Sequence, residues 1–263
     1  MKPCQIQTLD LPDRYRLIAV SDIHGCLEVF LDLLAQVNYR PEEDFLILPG
    51  DFFGKGPMDV ETLNYIHRLV RTTPRAHALA GNVDLWSRSL CFYGDMGALM
   101  KKIEGLPRNI LSVAARELGL GDVTPENYAA VRDSLLDRCG PALEWLSALP
   151  LAIDTPDMLF VHAGVEDLPR WQDSRQDLVL RQPAFFKARH RVGKWVAAGH
   201  LPARNNDEAG HGDGPAISRE RRNIALDGGA QILLGGCLNA LVVEKDGPGA
   251  PLRFSSARAD DYP

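Results

Sequence analysis

The 263-residue sequence is short of cysteine, of positive charge and of long apolar runs, and each shortage excludes a class of protein. Its five cysteines, Cys4, Cys26, Cys91, Cys139 and Cys237, are an odd, scattered set with no C-x-x-C pair. That disfavours both a disulfide framework and a thiolate zinc site, and leaves small buried hydrophobes in a reduced protein. No apolar stretch approaches the ~20 residues of a membrane-spanning helix, so no membrane partner is expected. The opening "MKPCQIQTLDLPDRYR" carries charges and prolines where a secretory signal would have an unbroken apolar segment, so the expected compartment is the cytoplasm. With 29 Lys and Arg against 35 Asp and Glu, the formal net charge is −6. This gives no general attraction for nucleic acid, although bound cations could reverse the sign locally. What is present, 45% hydrophobic and 24% charged residues, suits an ordinary globular protein, and one domain over residues 1–263 is expected.

The first half alternates apolar strand runs with amphipathic helical patterns, the sequence form of βαβ units and a largely parallel sheet. "YRLIAVSDIHG", "DFLILPGD" and "RAHALAGNVD" read as strands. Between them, "CLEVFLDLLAQV" reads as a helix with Leu27, Phe30, Leu31 and Leu34 on one face, and "PMDVETLNYIHRLVRTT" as a second with proline at its start. From about Leu85 to Leu149 the pattern turns helical and reads as an inserted cap, with one helix predicted to start near Thr124 in "TPEN". Strand signals return in "LAID", "MLFVHAGV", "KWVAAGH", "RNIALDGG", "QILLGG" and "CLNALVVE", spaced for a second, mainly antiparallel sheet. "NNDEAGHGDGP" reads as a loop and "ARADDYP" as a frayed tail.

Polar residues gather at the strand ends: Asp22 and His24 in "SDIHG", Asp51 in "PGD", Asn82 in "GNVD", His162 in "VHAG" and His200 in "AAGH". Ligands bind outside the carboxyl ends of strands in open α/β sheets, so residues far apart in sequence can converge there. All six are oxygen or nitrogen ligands, about the number that two divalent ions sharing one carboxylate need. Glycine flanks each motif and lets backbone and ligand approach closely. Singly, a strand-end aspartate is a turn residue and a lone histidine a satisfied core or surface group. Five strand ends carrying D-x-H-G, G-D, G-N, H-A-G and G-H in that order point instead to a dinuclear metal site.

The order "DIHG … GDFFGKGP … GNVD … HAG … GH" resembles the calcineurin-like metallophosphoesterases. Within them it is most similar to the PPP-type group, which includes bacterial serine/threonine phosphatases and symmetrical diadenosine tetraphosphatases. The resemblance implies a four-layer αββα sandwich of two mixed sheets. It also implies that Asp22, His24, Asp51 and His200 hold one ion and that Asp51, Asn82 and His162 hold the second, with Asp51 bridging. Manganese is the first choice of ion, and iron, zinc, nickel or cobalt suits the same N/O donors.

The chain departs from this pattern where the family reads G-D-x-V-D-R-G and G-N-H-E. Val83 stands at the histidine and Gly54 at its aspartate partner, so both halves of the acid dyad are missing together. Lys55 replaces an arginine that grips phosphate, and Asp84 replaces the glutamate, either as a cap on the following helix or as a site residue. Arg181 in "LVLRQP" resembles a second phosphate-binding arginine; its plainer reading is a surface ion pair. Thus Asp51, Lys55 and Arg181 are the candidate catalytic residues, with Lys55, Asn82 and Arg181 binding substrate. His77, His190 and His211 are candidates to replace the missing acid, and a metal-bound water is the remaining donor. Trp86, Phe92, Tyr93 and Trp145 could roof a base-binding pocket, or could simply pack the core. The expected function is a two-metal phosphoester hydrolase acting on a phosphorylated partner, as a phosphomonoesterase or serine/threonine protein phosphatase. A dinucleoside polyphosphate hydrolase and a metal-retaining module that binds without turnover are the alternatives.

Overall fold

The computed structural model describes residues 5–92, 94–104, 108–183, 185–205, 214–232 and 234–260. Among the described residues, eleven strands form two sheets. One contains β2 (Arg14–Ala19), β3 (Phe45–Leu48), β4 (Ala76–Ala78), β10 (Cys237–Asp246) and β11 (Arg253–Asp260), in the order β11-β10-β2-β3-β4. The other contains β1 (Ile6–Thr8), β5 (Ala152–Asp154), β6 (Met158–Val161), β7 (Trp195–Ala198), β8 (Ala216–Ser218) and β9 (Asn223–Ala225), in the order β1-β5-β6-β7-β9-β8.

Successive side chains on a strand point to opposite faces, and that period builds the layers. Leu17 and Ala19 of β2 join Phe45, Ile47, Phe160, Ala197, Ile224 and Leu241 in a cluster drawn from both sheets. Their neighbours Ile18, Leu46 and Leu48 join a second cluster shared with the helices. Against it pack α1 (Leu27–Gln36) and α2 (Asp59–Thr72), with Phe30, Leu33, Leu63 and Ile66 fully buried. Removing one such side chain, as in Phe30→Ala, costs about 3–5 kcal/mol. The two-sheet α/β sandwich expected from the sequence is what forms.

The differences are local. The buried face of α1 is Val29, Phe30, Leu33 and Leu34, while Leu31 is 38% exposed, because the stripe runs one residue round the helix from the predicted one. The second sheet is not mainly antiparallel: β6, β7 and β9 run parallel, and only the β5–β6 and β8–β9 pairs are antiparallel. "QILLGG" is no strand among its described residues. Gln231 and Gly235 have φ of 57° and 67°, which turn the chain and leave Leu234 fully exposed. The predicted frayed tail is paired as far as Asp260 by the long antiparallel ladder of β11 on β10.

The helical stretch comprises α3 (Asn82–Cys91), α4 (Met96–Glu104), α5 (Ile110–Glu117) and α6 (Tyr128–Trp145). The last of these begins at Tyr128 with Asn127 as its N-cap, four residues after the predicted start at Thr124, whose carbonyl accepts the Tyr128 N–H in the turn that leads into it. Trp145 stacks on Phe52 with ring centroids 6.2 Å apart, while Phe92 lies exposed under the Arg88 guanidinium. Trp145 therefore packs the core rather than a roof. Tyr93, His211 and most of the predicted Gly- and Asp-rich loop lie outside the described residues. No helix is long and apolar enough to cross a membrane among the described residues. Cys26, Cys91, Cys139 and Cys237 are buried.

Candidate metal centre

Six parallel strands, three in each sheet, end at one edge of the sandwich. After β2 come Asp22 and His24, after β3 Asp51, and after β4 Asn82, the first residue of α3. After β6 comes His162 and after β7 His200. To turn these side chains into the site, the backbone enters the left-handed region at Asp22 (φ 54°), His24 (φ 48°), Asp51 (φ 56°) and His200 (φ 69°). Non-glycine residues rarely adopt it and it costs about 1–3 kcal/mol each, so strain is concentrated on the ligand candidates. Close packing of the loops depends on two bare glycines. A Cβ on Gly81 would lie 2.1 Å from Oδ1 of Asp51, and one on Gly199 would lie 2.0 Å from Oδ2 of Asp22.

Five of the six residues form two groups that share Asp51: Asp22, His24 and Asp51, and Asp51, His162 and His200, with donor atoms in each group within 4.8 Å of one another. The two Asp51 oxygens look in different directions. Oδ2 is 3.8 Å from Nε2 of His24, which is also 3.9 Å from Oδ1 of Asp22. Oδ1 is 3.4 Å from Nε2 of His162 and accepts the Val83 N–H at 2.8 Å. Asn82 belongs to the second group, its Oδ1 lying 2.9 Å from Nε2 of His162 and the same atom 2.9 Å from Nδ1 of His200.

The donor chemistry fits cations. Nδ1 of His162 donates to the Pro49 carbonyl at 2.9 Å, which fixes the tautomer and leaves the Nε2 lone pair facing Asp51, the arrangement typical of a metal-bound imidazole. Three acceptors meeting at Asn82, His162 and His200 are satisfied either by turning the amide or by a positive ion among them. Burial pushes His24 and His200 down to about 4, so both rings are neutral with lone pairs available at pH 7. Asp22 is driven well above the usual carboxylate range, first by burial and then by repulsion from Asp227 and Asp51. Burial also acts on Asp51, but His162, His24 and Lys55 outweigh it and hold that carboxyl low.

Residues 15–236 match the family described as calcineurin-like phosphoesterase. The chain belongs to that family. Among curated proteins it is 29% identical over 165 residues to a symmetrical bis(5'-nucleosyl)-tetraphosphatase of Yersinia pseudotuberculosis, covering 62% of this chain and 46% of the relative. The chain thus spans about half the length of the curated relatives it matches. Among solved structures, a candidate diadenosine tetraphosphatase superposes with a TM-score of 0.62 at 22% identity, over 98% of this chain and 99% of that one. A serine/threonine phosphatase of Saccharomyces cerevisiae gives a TM-score of 0.61 at 12% identity, over 99% and 86%. At those identities the structures establish the fold, that of a phosphoesterase sandwich.

Against this calcineurin-like frame, one assignment changes. The resemblance put His200 with Asp22 and His24, whereas its ring groups with Asp51 and His162, and only its backbone N–H reaches Asp22, at 3.1 and 3.0 Å. The left-handed turn at His200 separates the two, sending the amide one way and the imidazole the other.

The structure also brings the two variant positions face to face. A Cβ on Gly54 would meet Cγ1 of Val83 at 2.6 Å, so a valine methyl fills the space of the absent side chain. Asp84, fully buried, accepts the Gly81 N–H as a helix cap and the Asp51 and Phe52 N–H groups at 2.8 and 2.9 Å. Both readings of Asp84 therefore apply, since it caps α3 and clamps the strained loop that presents Asp51. The Lys55 ammonium donates to Nε2 of His24 at 3.2 Å, leaning over the first donor group.

Arg181 ends α7 (Gln176–Arg181), which is stitched to the "HAG" loop by the Ala163 N–H bonding to the Val179 carbonyl at 2.8 Å. The Leu180 carbonyl lies 3.2 Å from the Asn82 amide, so Arg181 sits at the rim of the second group with its positive field on His200. Two of the spare histidines are occupied elsewhere. His77 contacts Gln7 at 3.1 Å, and His190 stacks on Phe185 with centroids 6.0 Å apart. Reading the sequence missed Asp227, which follows β9 in "NIALDGG". It repeats the signal used elsewhere, a polar residue at a strand end followed by glycine.

Proposed function

We propose that this chain is a dinuclear-metal-dependent phosphoester hydrolase. The observation that carries this reading is the double duty of Asp51, whose two oxygens face two separate donor groups. Divalent ions, when bound there, supply an activated solvent nucleophile and neutralise charge on the phosphoryl oxygens. Asp22, His24 and Asp51 would hold the first ion, and Asp51, Asn82, His162 and His200 the second. Manganese is the ion of choice.

The chain's own part is to hold phosphate in line and exclude competing geometries. Lys55 supplies a mobile positive charge to a non-bridging oxygen, without the two-pronged geometry of an arginine. Arg181, beside the second group, supplies a second positive charge, and Asn82 an amide. No side chain at Gly54 or Val83 can hand a proton to the departing oxygen, and general acid catalysis is worth about 10²–10⁴ in rate. The site therefore suits a leaving group that departs as a stable anion, such as a nucleotide phosphate or an aryl oxide.

That requirement favours a dinucleoside polyphosphate, the substrate type in the names of the curated relatives. Phosphomonoesterase or protein phosphatase activity on seryl esters is the second reading, supported by the similarity in fold to a serine/threonine phosphatase. The test is turnover of diadenosine tetraphosphate, p-nitrophenyl phosphate, bis-p-nitrophenyl phosphate and a phosphoseryl peptide with manganese, using Asp51→Asn as control. Turnover of the first two that vanishes in the variant supports the proposal. Manganese binding with no turnover of any substrate would leave only a phospho-ligand binding module.

A further inference from the structure

The two donor groups are unequal. Among the described residues, four side chains face the second cation position, but Asp22, His24 and Asp51 alone face the first. The sixth parallel strand ends beside this shorter set. In the β7–β9 ladder Ala198 pairs with Ala225, so two residues further on Asp227 stands opposite His200, whose N–H binds the Asp22 carboxylate. The loop is pinned in place: the Asp227 carbonyl accepts the Ala203 N–H at 2.7 Å, and its Oδ1 accepts the Gly229 N–H at 2.7 Å.

The other oxygen of Asp227 has no such role. Asp227 is fully buried and Oδ2 has no hydrogen-bond partner. A buried carboxylate oxygen left unmatched is costly unless a positive charge or a donor faces it. Its neighbours make this worse, since repulsion from Asp227 is the largest effect on Asp22 after burial, and Asp51 repels Asp227 in turn. Three buried carboxylates thus share one region with a single lysine, Lys55, whose field reaches two of them.

We infer that Asp227 belongs to the first cation position, where its free oxygen accepts a hydrogen bond from water held by that cation. It is a positioning residue, acting on the cation's hydration rather than touching substrate. The inference rests on the two-metal reading above and assigns a seventh residue to it. Partners of this kind commonly change metal affinity by about 10–100-fold.

The test uses the full chain, stripped with chelator and titrated with manganese by calorimetry, alongside thermal unfolding with and without the metal. Asp227→Asn keeps an oxygen to take the Gly229 N–H, removes the charge and puts an amide donor where the free acceptor Oδ2 stood. One of two manganese affinities should fall by about 10–100-fold with the other unchanged. The stripped variant should unfold at the same temperature as the parent or higher, and gain less from manganese. A purely structural aspartate would give the opposite result, a stripped protein that is less stable with both affinities intact, and that outcome overturns the inference. Asp227→Ala, which also loses the Gly229 bond, measures that structural share separately. If the parent chain binds no manganese the two-metal reading itself fails, whereas two tight equivalents in both parent and Asp227→Asn would sink the Asp227 assignment alone.

Discussion

The two donor groups differ in origin, charge and exposure, and the contrast shows what each asks of the fold. Asp22, His24 and Asp51 all come from one sheet, are no more than 2% exposed, and all adopt left-handed backbone. They set two carboxylates against one neutral imidazole. The second group adds to Asp51 an amide and two imidazoles drawn from both sheets, with Asn82 and His200 only half-buried. Without cations the first group is a centre of repulsion, whereas the second is a set of lone pairs already fixed by hydrogen bonds. On the two-metal reading proposed above, the first would hold an ion by charge, and the second would hold one while leaving a side open to phosphate.

Asp51→Asn breaks the comparison most severely, because it damages both groups together. A fall in kcat of at least about 10³ is expected, with manganese stoichiometry dropping from two to at most one. Retention of two tight ions would show that the groups do not share this carboxylate. Asp84→Asn reaches the same residue indirectly. It replaces one of the acceptor oxygens that clamp the Asp51 loop, so metal affinity should weaken by about 10–100-fold with the fold retained. Affinity equal to that of the parent would reduce Asp84 to a helix cap.

The missing acid sharpens the comparison at the substrate side. Restoring both family residues, Gly54→Asp with Val83→His, is the obvious experiment from sequence, but Gly54 has φ of +103°, where any side chain is strained. Val83→His alone avoids that strain, since the ring would face the bare Gly54. The rate on aryl phosphates should depend steeply on leaving-group acidity in the parent and less steeply in this variant, by up to about 10² for the poorest leaving group. A shallow dependence in the parent would mean that an acid other than the dyad is at work.

Much of this site was legible because its signal is local. A buried strand, a polar residue and a glycine recur at each of five strand ends, and short-range chemistry alone marks them. What was not legible depends on pairing. Strand direction in the second sheet follows from crossovers that spacing does not reveal, so the parallel run of β6, β7 and β9 was missed. With it went Asp227, which looks like one more turn residue until β9 is known to lie beside β7. The placement of His200 was hidden for a similar reason, since a backbone dihedral decides which group its ring joins. Leu31 was misplaced because Leu, Val and Phe are equally apolar in "LEVFLDLL", and only packing chooses the face.

The smallest expected effect, and the one that tests the charge contrast most directly, is the pH dependence of the metal-free protein. Burial raises Asp59 and Asp227 to about 6 and Asp84 to about 8, so the native state binds protons more tightly there than the unfolded chain. Stability from such groups is complete below the ordinary carboxylate range and is lost as pH rises through the native values. His24 and His200, lowered to about 4, act in the opposite sense, but only up to the ordinary histidine value of about 6.5. About one pH unit above that value the histidines are neutral in both states and only the carboxylates still titrate. Between about pH 7.5 and 8.5, where Asp84 titrates, the stripped protein should therefore lose stability, its Tm falling by about 2–4 °C per kcal/mol. With manganese bound, the cations compensate the carboxylates of the first group, and the decline should flatten or reverse. Unfolding curves in chelator and in manganese across that range make the comparison. A metal-free Tm that holds steady or climbs from about pH 7.5 to 8.5 would mean that the buried carboxylates around Asp51 carry no excess of negative charge.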